Sequence, residues 1–351
     1  MIKNSYKFIG VLILMYSFVV GMMVPLTPGI VKVSPQRANT GEKLTLQIKG
    51  YNTHFEQAEN SVRAWLKLSN EYAIAGEIIE VQNDRDLVLM FQIPKFLPIP
   101  DQVKETSLLL DNAIDGSSVL PSAVFVSQDS VNTTLGSELW GKTPIEHLSE
   151  RTFTTFPFRN ILQETIRNTY FHVSLWFAMM FLFMAAVWNA VAYLRKSNPF
   201  HDMRSLAFTQ VGLFFGLLGV ATGAVWAKYT WGAYWSWDVK QNTTAIALLI
   251  YFSYFVLRSS FDDRERKARI AAAYSIFAFV ALIVLIYIIP RMTDSLHPGN
   301  GGNPALGGED LDNTMRMVFY PSIIGWTLFG VWLASLITRS EQLNEQLLEL
   351  E

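Results

Sequence analysis

Tryptophan and histidine carry whatever chemistry this chain can do. It has no cysteine, so thiol nucleophiles, disulfides and thiolate metal sites are excluded for the chain by itself. It has five histidines, His54, His147, His172, His201 and His297, and any metal ligation must draw mainly on them. Four of its ten tryptophans fall in one short window, Trp226 followed by Trp231-Gly232-Ala-Tyr234-Trp235-Ser-Trp237-Asp238. Read as a helix, Trp231, Trp235 and Asp238 stand at i, i+4 and i+7 on one face, with Tyr234 and Trp237 on a neighbouring ridge. A slab of rigid rings suits a flat, apolar, ring-shaped ligand held by stacking and area burial. The competing reading is an aromatic belt at a membrane surface, where Trp and Tyr are enriched in any case.

The window lies between long apolar runs. Residues Phe8 to Val24 are apolar after a start carrying Lys3 and Lys7. At about 1.5 Å per residue this run nearly spans a hydrocarbon core of about 30 Å. It is longer than a signal-peptide core and has no clear small-x-small cleavage site before Pro25, which favours an uncleaved anchor. Five further runs cover approximately Tyr170–Tyr193, Leu206–Ala227, Thr243–Leu257, Ile270–Ile289 and Val318–Ile337. Six transmembrane helices are therefore expected, with both ends of the chain on one side.

Lys and Arg set the orientation. One set of segments carries Lys3, Lys7, Arg195, Lys196, Arg204, Arg258, Arg264, Arg266, Lys267, Arg269 and Arg339 and is read as cytoplasmic. The opposite connections carry fewer, among them Arg159, Arg167, Lys228, Lys240, Arg291 and Arg316. The tryptophan window and the 291–316 loop then face outward. A formal net charge of −2 with scattered basic residues leaves no nucleic-acid footprint.

Between about Val31 and Ser127 the pattern changes. Lys43-Leu-Thr-Leu-Gln-Ile-Lys49 alternates strictly, as a half-buried strand does, and similar runs follow at Ser61–Leu68, Ala73–Val81, Asp86–Ile93, Thr106–Leu110 and Ser122–Val126. About seven short strands at this spacing predict an antiparallel, all-β, immunoglobulin-like sandwich. Val33-Ser-Pro-Gln, Gly41 and Ile48-Lys-Gly-Tyr51 resemble the TIG/IPT type, and Trp65 is not marked as a core tryptophan. The expected organisation is an anchor over 1–30, a periplasmic β-sandwich over 31–127 and a Ser/Thr/Pro-rich linker over 128–159. A five-helix membrane domain over 160–340 and a cytoplasmic tail over 341–351 follow. His54, His147 (on a short helix) and His201 (in a loop) read as solvated residues.

His172 and His297 remain. His172 ends Arg167-Asn-Thr-Tyr-Phe-His172 at the outer end of the second apolar run. His297 lies in Leu296-His-Pro-Gly-Asn-Gly-Gly-Asn303, whose composition suits a mobile ligand gate. Both share the depth of the tryptophan window, and a single interfacial histidine of this kind is usually structural. Two neutral imidazoles from opposite sides could instead ligate an iron held on the slab, with outward cations such as Arg291 and Arg316 meeting the ligand's carboxylates.

Tyr170-Phe-His172, Gly223-Ala-Val-Trp226, Trp231-Gly-x-x-Trp-x-Trp-Asp238 and Leu296-His297 together resemble the haem-handling proteins of cytochrome c maturation, closest to the CcmC type, haem exporter protein C. The likeness covers the first helix and about Asn160 to Ile337. It implies b-type haem, with His172 and His297 as axial ligands. Trp231, Trp235, Trp237 and Asp238 would form the platform, with Trp226, Gly232 and Tyr234 among the haem-binding residues, and Arg167 would lie near the propionates. It further implies presentation of haem on the outer face of the bacterial inner membrane. Delivery would be to a periplasmic haem chaperone of the CcmE type, beside ABC-type transporter subunits. No acid/base pair or nucleophile is evident, so a transfer protein is expected rather than a stand-alone enzyme. The rivals are a CcsA-type synthase joining haem directly to apocytochrome and a non-enzymatic membrane adaptor. The chain departs from the family pattern at Ser174, where proline is common, at Val239, where Ala or Pro is usual, and in the inserted sandwich.

Overall fold

The computed structural model describes residues 4–141, 145–151, 153–160, 162–297 and 311–348. The chain divides into two compact units, Val24–Gln163 and a second made of Met1–Met23 with Glu164–Glu351.

The first unit is built on two sheets. Strands β1 (Gly29–Ser34), β3 (Lys43–Tyr51), β7 (Asp86–Gln92) and β6 (Glu77–Val81) form one in the order β1-β3-β7-β6. Strands β2 (Arg37–Asn39), β9 (Gly116–Ser127), β8 (Val103–Asn112), β4 (Arg63–Lys67) and β5 (Ala73–Ala75) form the other in the order β2-β9-β8-β4-β5. The alternation in β3 does what a period of two dictates: Leu44, Leu46 and Ile48 face inward opposite Phe91, Leu89 and Leu87 of β7. They share one core with Leu66, Leu108, Leu110, Val124 and Val126 of the other sheet.

Among the described residues nine strands stand where about seven were expected, because two runs change sheet midway. Pro35, which has no N–H for a ladder, separates β1 from β2, and β2 then pairs with β9 in parallel, against the all-antiparallel expectation. The run Ala73–Val81 crosses between sheets at Gly76, where a Cβ would stand 2.7 Å from the Phe91 ring. A side chain there would have to displace a buried aromatic.

The stretch 128–159, expected as a linker, folds onto this unit. Helix α2 (Thr133–Trp140) brings Trp140 into the core at 0% exposure, its Nε1 donating to the Phe96 carbonyl at 3.1 Å. Trp65 instead lies on the outer face of its sheet with Ala73, Leu109 and Ile145, the Arg63 guanidinium 5.2 Å from its ring. His147 is not helical: it sits at φ 51°, exposed, and its carbonyl accepts from Arg63. His54 is not merely solvated either, since Asp115 accepts both its backbone N–H and its Nδ1, at 2.9 and 2.8 Å. Trp140→Ala is expected to remove about 3–5 kcal/mol from this unit. Limited proteolysis of the full chain checks it, with cleavage appearing inside 24–163 at protease levels that leave the parent intact.

Among the described residues the second unit holds six long helices, α1 (Ser5–Met23), α3 (His172–Lys196), α4 (Pro199–Trp231), α5 (Val239–Ser259), α6 (Arg264–Ile283) and α7 (Asn313–Leu348). Five are long and apolar enough to cross a membrane, and α5 is the exception. Its first turns spend Lys240, Gln241, Asn242, Thr243 and Thr244, which shortens its apolar part. Beyond α6 the chain continues through a wide π-turn, Val284–Ile288, and a tight turn, Ile289–Arg291. Pro290, lacking an N–H and crowding the carbonyl one turn back, accounts for the loss of regular helix there.

Polar side chains set the helix ends. Asn198 accepts from the Phe200 N–H ahead of Pro199 at the start of α4, and Asp263 accepts from the Arg266 N–H at the start of α6. His201 belongs to the first turn of α4 rather than to a loop, its Nδ1 3.3 Å from Asn189 Oδ1. Asp202 and Arg258 clamp α4 to α5 through two bonds of 2.7 and 2.5 Å. Helices α3 and α4 approach along a stripe of glycines. A Cβ at Gly212, Gly219 or Gly223 would meet Phe183, Trp176 or His172 of α3 within 2.8 Å, and one at Gly216 would meet Leu248 of α5 at 2.7 Å. Small residues at such spacing let helix backbones close on one another in a bilayer.

Candidate functional site

Trp226 and Trp231 lie in the last turns of α4, and the rest of the tryptophan window, Gly232 to Trp237, is a connection between helices rather than a helix. Gly232 ends α4 at φ 86°, the left-handed conformation that glycine takes without a Cβ penalty, and its N–H reaches back to the Lys228 carbonyl. Asp238 begins α5 as its N-cap, accepting from the Lys240 N–H at 2.9 Å. The expected i, i+4, i+7 face therefore does not exist. Two local signals, a C-terminal glycine and an N-capping aspartate, break the periodicity between them.

The rings form two edge-to-face pairs instead of a flat slab. Trp226 and Trp231 stand 4.8 Å apart at 77°, and Trp235 and Trp237 stand 6.5 Å apart at 87°. Such crossing is what ring quadrupoles favour over a face-to-face sandwich. Trp237 is 77% exposed and holds φ 59°, a conformation that non-glycine residues rarely keep without reason. Its carbonyl accepts from Asn242 Nδ2 at 2.7 Å. Tyr234 is 60% exposed, with Lys228 Nζ 5.8 Å from its ring.

His297 packs on the first pair, its ring centroid 4.8 Å from that of Trp231 and 6.2 Å from that of Trp226. Asp238 fixes it there. The carboxylate accepts from His297 Nδ1 at 2.8 Å, the Leu296 N–H at 2.7 Å and the Ser295 hydroxyl at 3.0 Å. Its side chain is 2% exposed. Burial pulls the Asp238 carboxyl upward, but the Leu296 N–H, the Ser295 hydroxyl, His297 and the Lys240 N–H outweigh it and hold the group below its ordinary value. Burial also lowers His297, and the neighbouring carboxylate only partly restores it, so the imidazole is neutral at pH 7. Residues 298–310, where the mobile gate is expected, lie outside the described residues.

His172 begins α3 and lies across α4. Its Nδ1 is 2.8 Å from the Gly219 carbonyl and 3.3 Å from Thr222 Oγ1. A Cβ on Gly223 would stand 2.5 Å from the ring, so the glycine stripe ends in a notch cut for this imidazole. Trp226 lies three residues past Gly223 on α4, about 4.5 Å of helix rise.

Both imidazoles present the same chemistry. A carbonyl or carboxylate oxygen accepts but cannot donate, so each Nδ1 carries the proton and each Nε2 keeps its lone pair. That is how a protein orients a histidine for a metal, with the far nitrogen tied to an oxygen.

The arginines divide. Arg167 is buried and occupied, donating to the Gly21 carbonyl at 2.8 Å and to Glu164 Oε2 at 2.5 Å, so it fastens the end of α1 to the segment before α3. Arg291 is exposed beyond the π-turn. Arg316 bonds Asn313 Oδ1 at 3.1 Å, while its buried Nε has no partner among the described residues. An unpaired buried guanidinium nitrogen is a ready donor for an anionic group.

Gly219 and Thr222 join the site as partners of His172 that motif spacing alone does not single out, and Gly223, from Gly223-Ala-Val-Trp226, joins them as the notch for its ring. The available signal for them is the glycine spacing of four, three and four from Gly212 to Gly223. A family profile described as "CcmC: Heme exporter protein C" matches residues 152–350. Heme exporter protein C of Bradyrhizobium diazoefficiens is 25% identical over 187 residues, 53% of this chain and 70% of that protein. The protein of the same name from Escherichia coli K12 is 28% identical over 129 residues, 37% of this chain, and the match spans 49% of its length. Cytochrome c biogenesis protein CcsA of Gloeobacter violaceus is 31% identical over 115 residues, 32% of this chain and 33% of that protein.

Proposed function

We propose that this chain, which belongs to the haem exporter protein C family, holds haem between His172 and His297 and presents it for delivery to a haem chaperone. Haem handling in cytochrome c biogenesis, at the inner membrane, is the family's work. Two imidazoles from different connections, each with Nδ1 tied to an oxygen and, among the described residues, no partner at Nε2, support this reading. The cargo is b-type haem, held without a covalent bond, its iron taken by the two Nε2 atoms. Trp226 and Trp231 beside His297, with the half-buried Trp235 and the exposed Tyr234 and Trp237, supply apolar surface for the macrocycle. Arg316, with its unpaired buried Nε, suits a propionate better than the fully engaged Arg167 does, and Arg291 is a second cation.

In this reading the chain crosses the membrane six times, α5 in the company of its neighbours, and the Lys and Arg distribution favours the cytoplasm for both ends. The two-sheet unit, read as an immunoglobulin-like domain of the TIG/IPT type, lies in the periplasm with the tryptophan connection. The domain organisation is the anchor, the sandwich with the segment that follows it, and the membrane domain. The acceptor is a periplasmic chaperone of the CcmE type, with ABC-type transporter subunits as neighbours. The chain contributes binding, orientation and exclusion of water from the iron, and no side chain here is assigned a bond-making step.

Haem-loaded chain, purified and mixed with a periplasmic haem chaperone, is expected to lose its haem absorbance as the chaperone gains it. Passage of haem straight to an apocytochrome in the absence of the chaperone would favour a CcsA-like synthase instead. A chain that never carries haem above the level of membranes lacking it would sink both.

A further inference from the structure

The ends of α1, α4 and α7 that the proposed topology assigns to the cytoplasm line a half-open cavity of about 300 Å³, remote in sequence from the haem ligands and unused by them. That is the lower end of ligand-sized cavities, about 300–1,000 Å³, and enough for a head group with the start of its chains. On α4, Phe200, Arg204 and Phe208 stand at i, i+4 and i+8 and make one ridge. The Arg204 guanidinium is 5.7 Å from the Phe200 ring and 5.6 Å from the Phe208 ring, so it is held in place between two aromatic faces.

Across the cavity, α7 supplies Val331 to the floor and Ser335, Thr338 and Arg339 to the mouth. Tyr6 of α1 closes the third side, its hydroxyl 3.4 Å from Ser335 Oγ. Lys7, next along α1 and 5.9 Å from the Trp332 ring, adds a third positive charge at the same end. Among the described residues neither Arg204 nor Arg339 forms an ion pair with a carboxylate. Two unmatched guanidinium groups over an apolar floor form a site with a deficit of one sign.

We propose that this cavity binds the phosphodiester head group of an anionic phospholipid, the two arginines clasping the phosphate and the Phe208–Val331 floor receiving the first methylenes. Arginine's planar fork matches phosphate oxygens in pairs, and basic pockets between spanning helices on the cytoplasmic side take anionic head groups for this reason. A free phosphate would meet the same cations, but it gains nothing from the apolar floor and would have to surrender hydration to lie on it. A lipid so held ties the anchor α1 to α4, the helix that carries the His172 notch.

The test is native mass spectrometry of the full chain exchanged from nanodiscs of mixed phosphatidylglycerol and phosphatidylcholine into detergent. One phosphatidylglycerol is expected to remain bound, with no phosphatidylcholine in its place. In an Arg204→Gln, Arg339→Gln double variant retention is expected to fall at least about tenfold, as loss of charge-assisted bonds requires. Arg195→Gln, which removes an inner-face arginine outside the cavity, is expected to keep the lipid. Size-exclusion elution reports whether the double variant is folded. Should it not be, an Arg204→Lys, Arg339→Lys variant replaces it, and there the lipid is expected to be retained more weakly than in the parent. Equal retention of both lipids, undiminished retention in the double variant, or displacement by inorganic phosphate would each overturn the proposal. None of these outcomes depends on whether the chain binds haem.

Discussion

A chain in which His172 and His297 are both replaced by alanine is expected to come out of the membrane without haem, its absorbance reduced to that of membranes lacking the protein. The aromatic contacts alone do not make up the difference. Each edge-to-face or stacked contact contributes about 0.5–1.5 kcal/mol beyond area burial, and the most exposed ring, Trp237, remains mostly in water. Iron coordination supplies the directional bond, and it requires two Nε2 atoms whose lone pairs are free. The single variants separate the two sides. Gly223→Ala is expected to behave like His172→Ala, because its new Cβ would occupy space 2.5 Å from the imidazole and push the ring out of the notch. It leaves His297 and Asp238 untouched, so an effect of Gly223→Ala on top of His297→Ala but not on top of His172→Ala would locate the damage at His172. Wild-type haem content and spectrum in the double alanine variant would refute the axial assignment.

How much of this is legible in the sequence follows from the range of each signal. Strand β3 and its partner β7 can be read because a period of two reports only which face is buried, and Leu44, Leu46 and Ile48 bury that face as expected. The crossing at Gly76 cannot, since it depends on how near Phe91 comes from another strand. Trp140 escapes for a related reason. Eight residues of α2 among Ser and Thr look like linker, and only tertiary contact makes their tryptophan part of a core. In the helical unit the apolar runs mark the helices, and Lys240 to Thr244 explain why α5 is the least apolar of them. The tryptophan connection shows the limit most plainly. Its spacing satisfies a helical template, yet Gly232 and Asp238, each with a known terminal preference, carry the information that a helix stops and another starts. The histidines stand out by scarcity and depth, whereas their partners Gly219 and Asp238 are matters of three-dimensional contact.

Asp238→Asn is expected to weaken haem retention about 10–100-fold, the usual effect of removing the group that orients a metal-binding histidine, while leaving the fold nearly intact. Asparagine caps helices about as well as aspartate, so its Oδ1 can still accept from the Lys240 N–H and α5 keeps its start. What it cannot do is accept at both positions. Aspartate takes Nδ1 of His297, the Leu296 N–H and the Ser295 hydroxyl together, and an amide nitrogen in place of one oxygen donates where an acceptor is needed. With Oδ1 kept at the cap, His297 Nδ1 and the Ser295 hydroxyl, the amide nitrogen takes the place of Oδ2 and faces the Leu296 N–H donor to donor, which pushes the 295–297 segment and the imidazole it carries out of position. Asp238→Ala, in contrast, removes the cap as well, about 1 kcal/mol, and mixes the two effects. The informative comparison is therefore haem affinity against thermal unfolding for the Asn and Ala variants. If the Asp238→Asn chain binds haem as tightly as the parent, Asp238 serves only to begin α5. If both variants lose haem in proportion to lost stability, the contact with His297 is structural. Loss of haem in the Asn variant at unchanged stability, with an altered axial-ligand signature in the spectrum, is the outcome expected of a positioning residue that joins the tryptophan connection to the histidine loop.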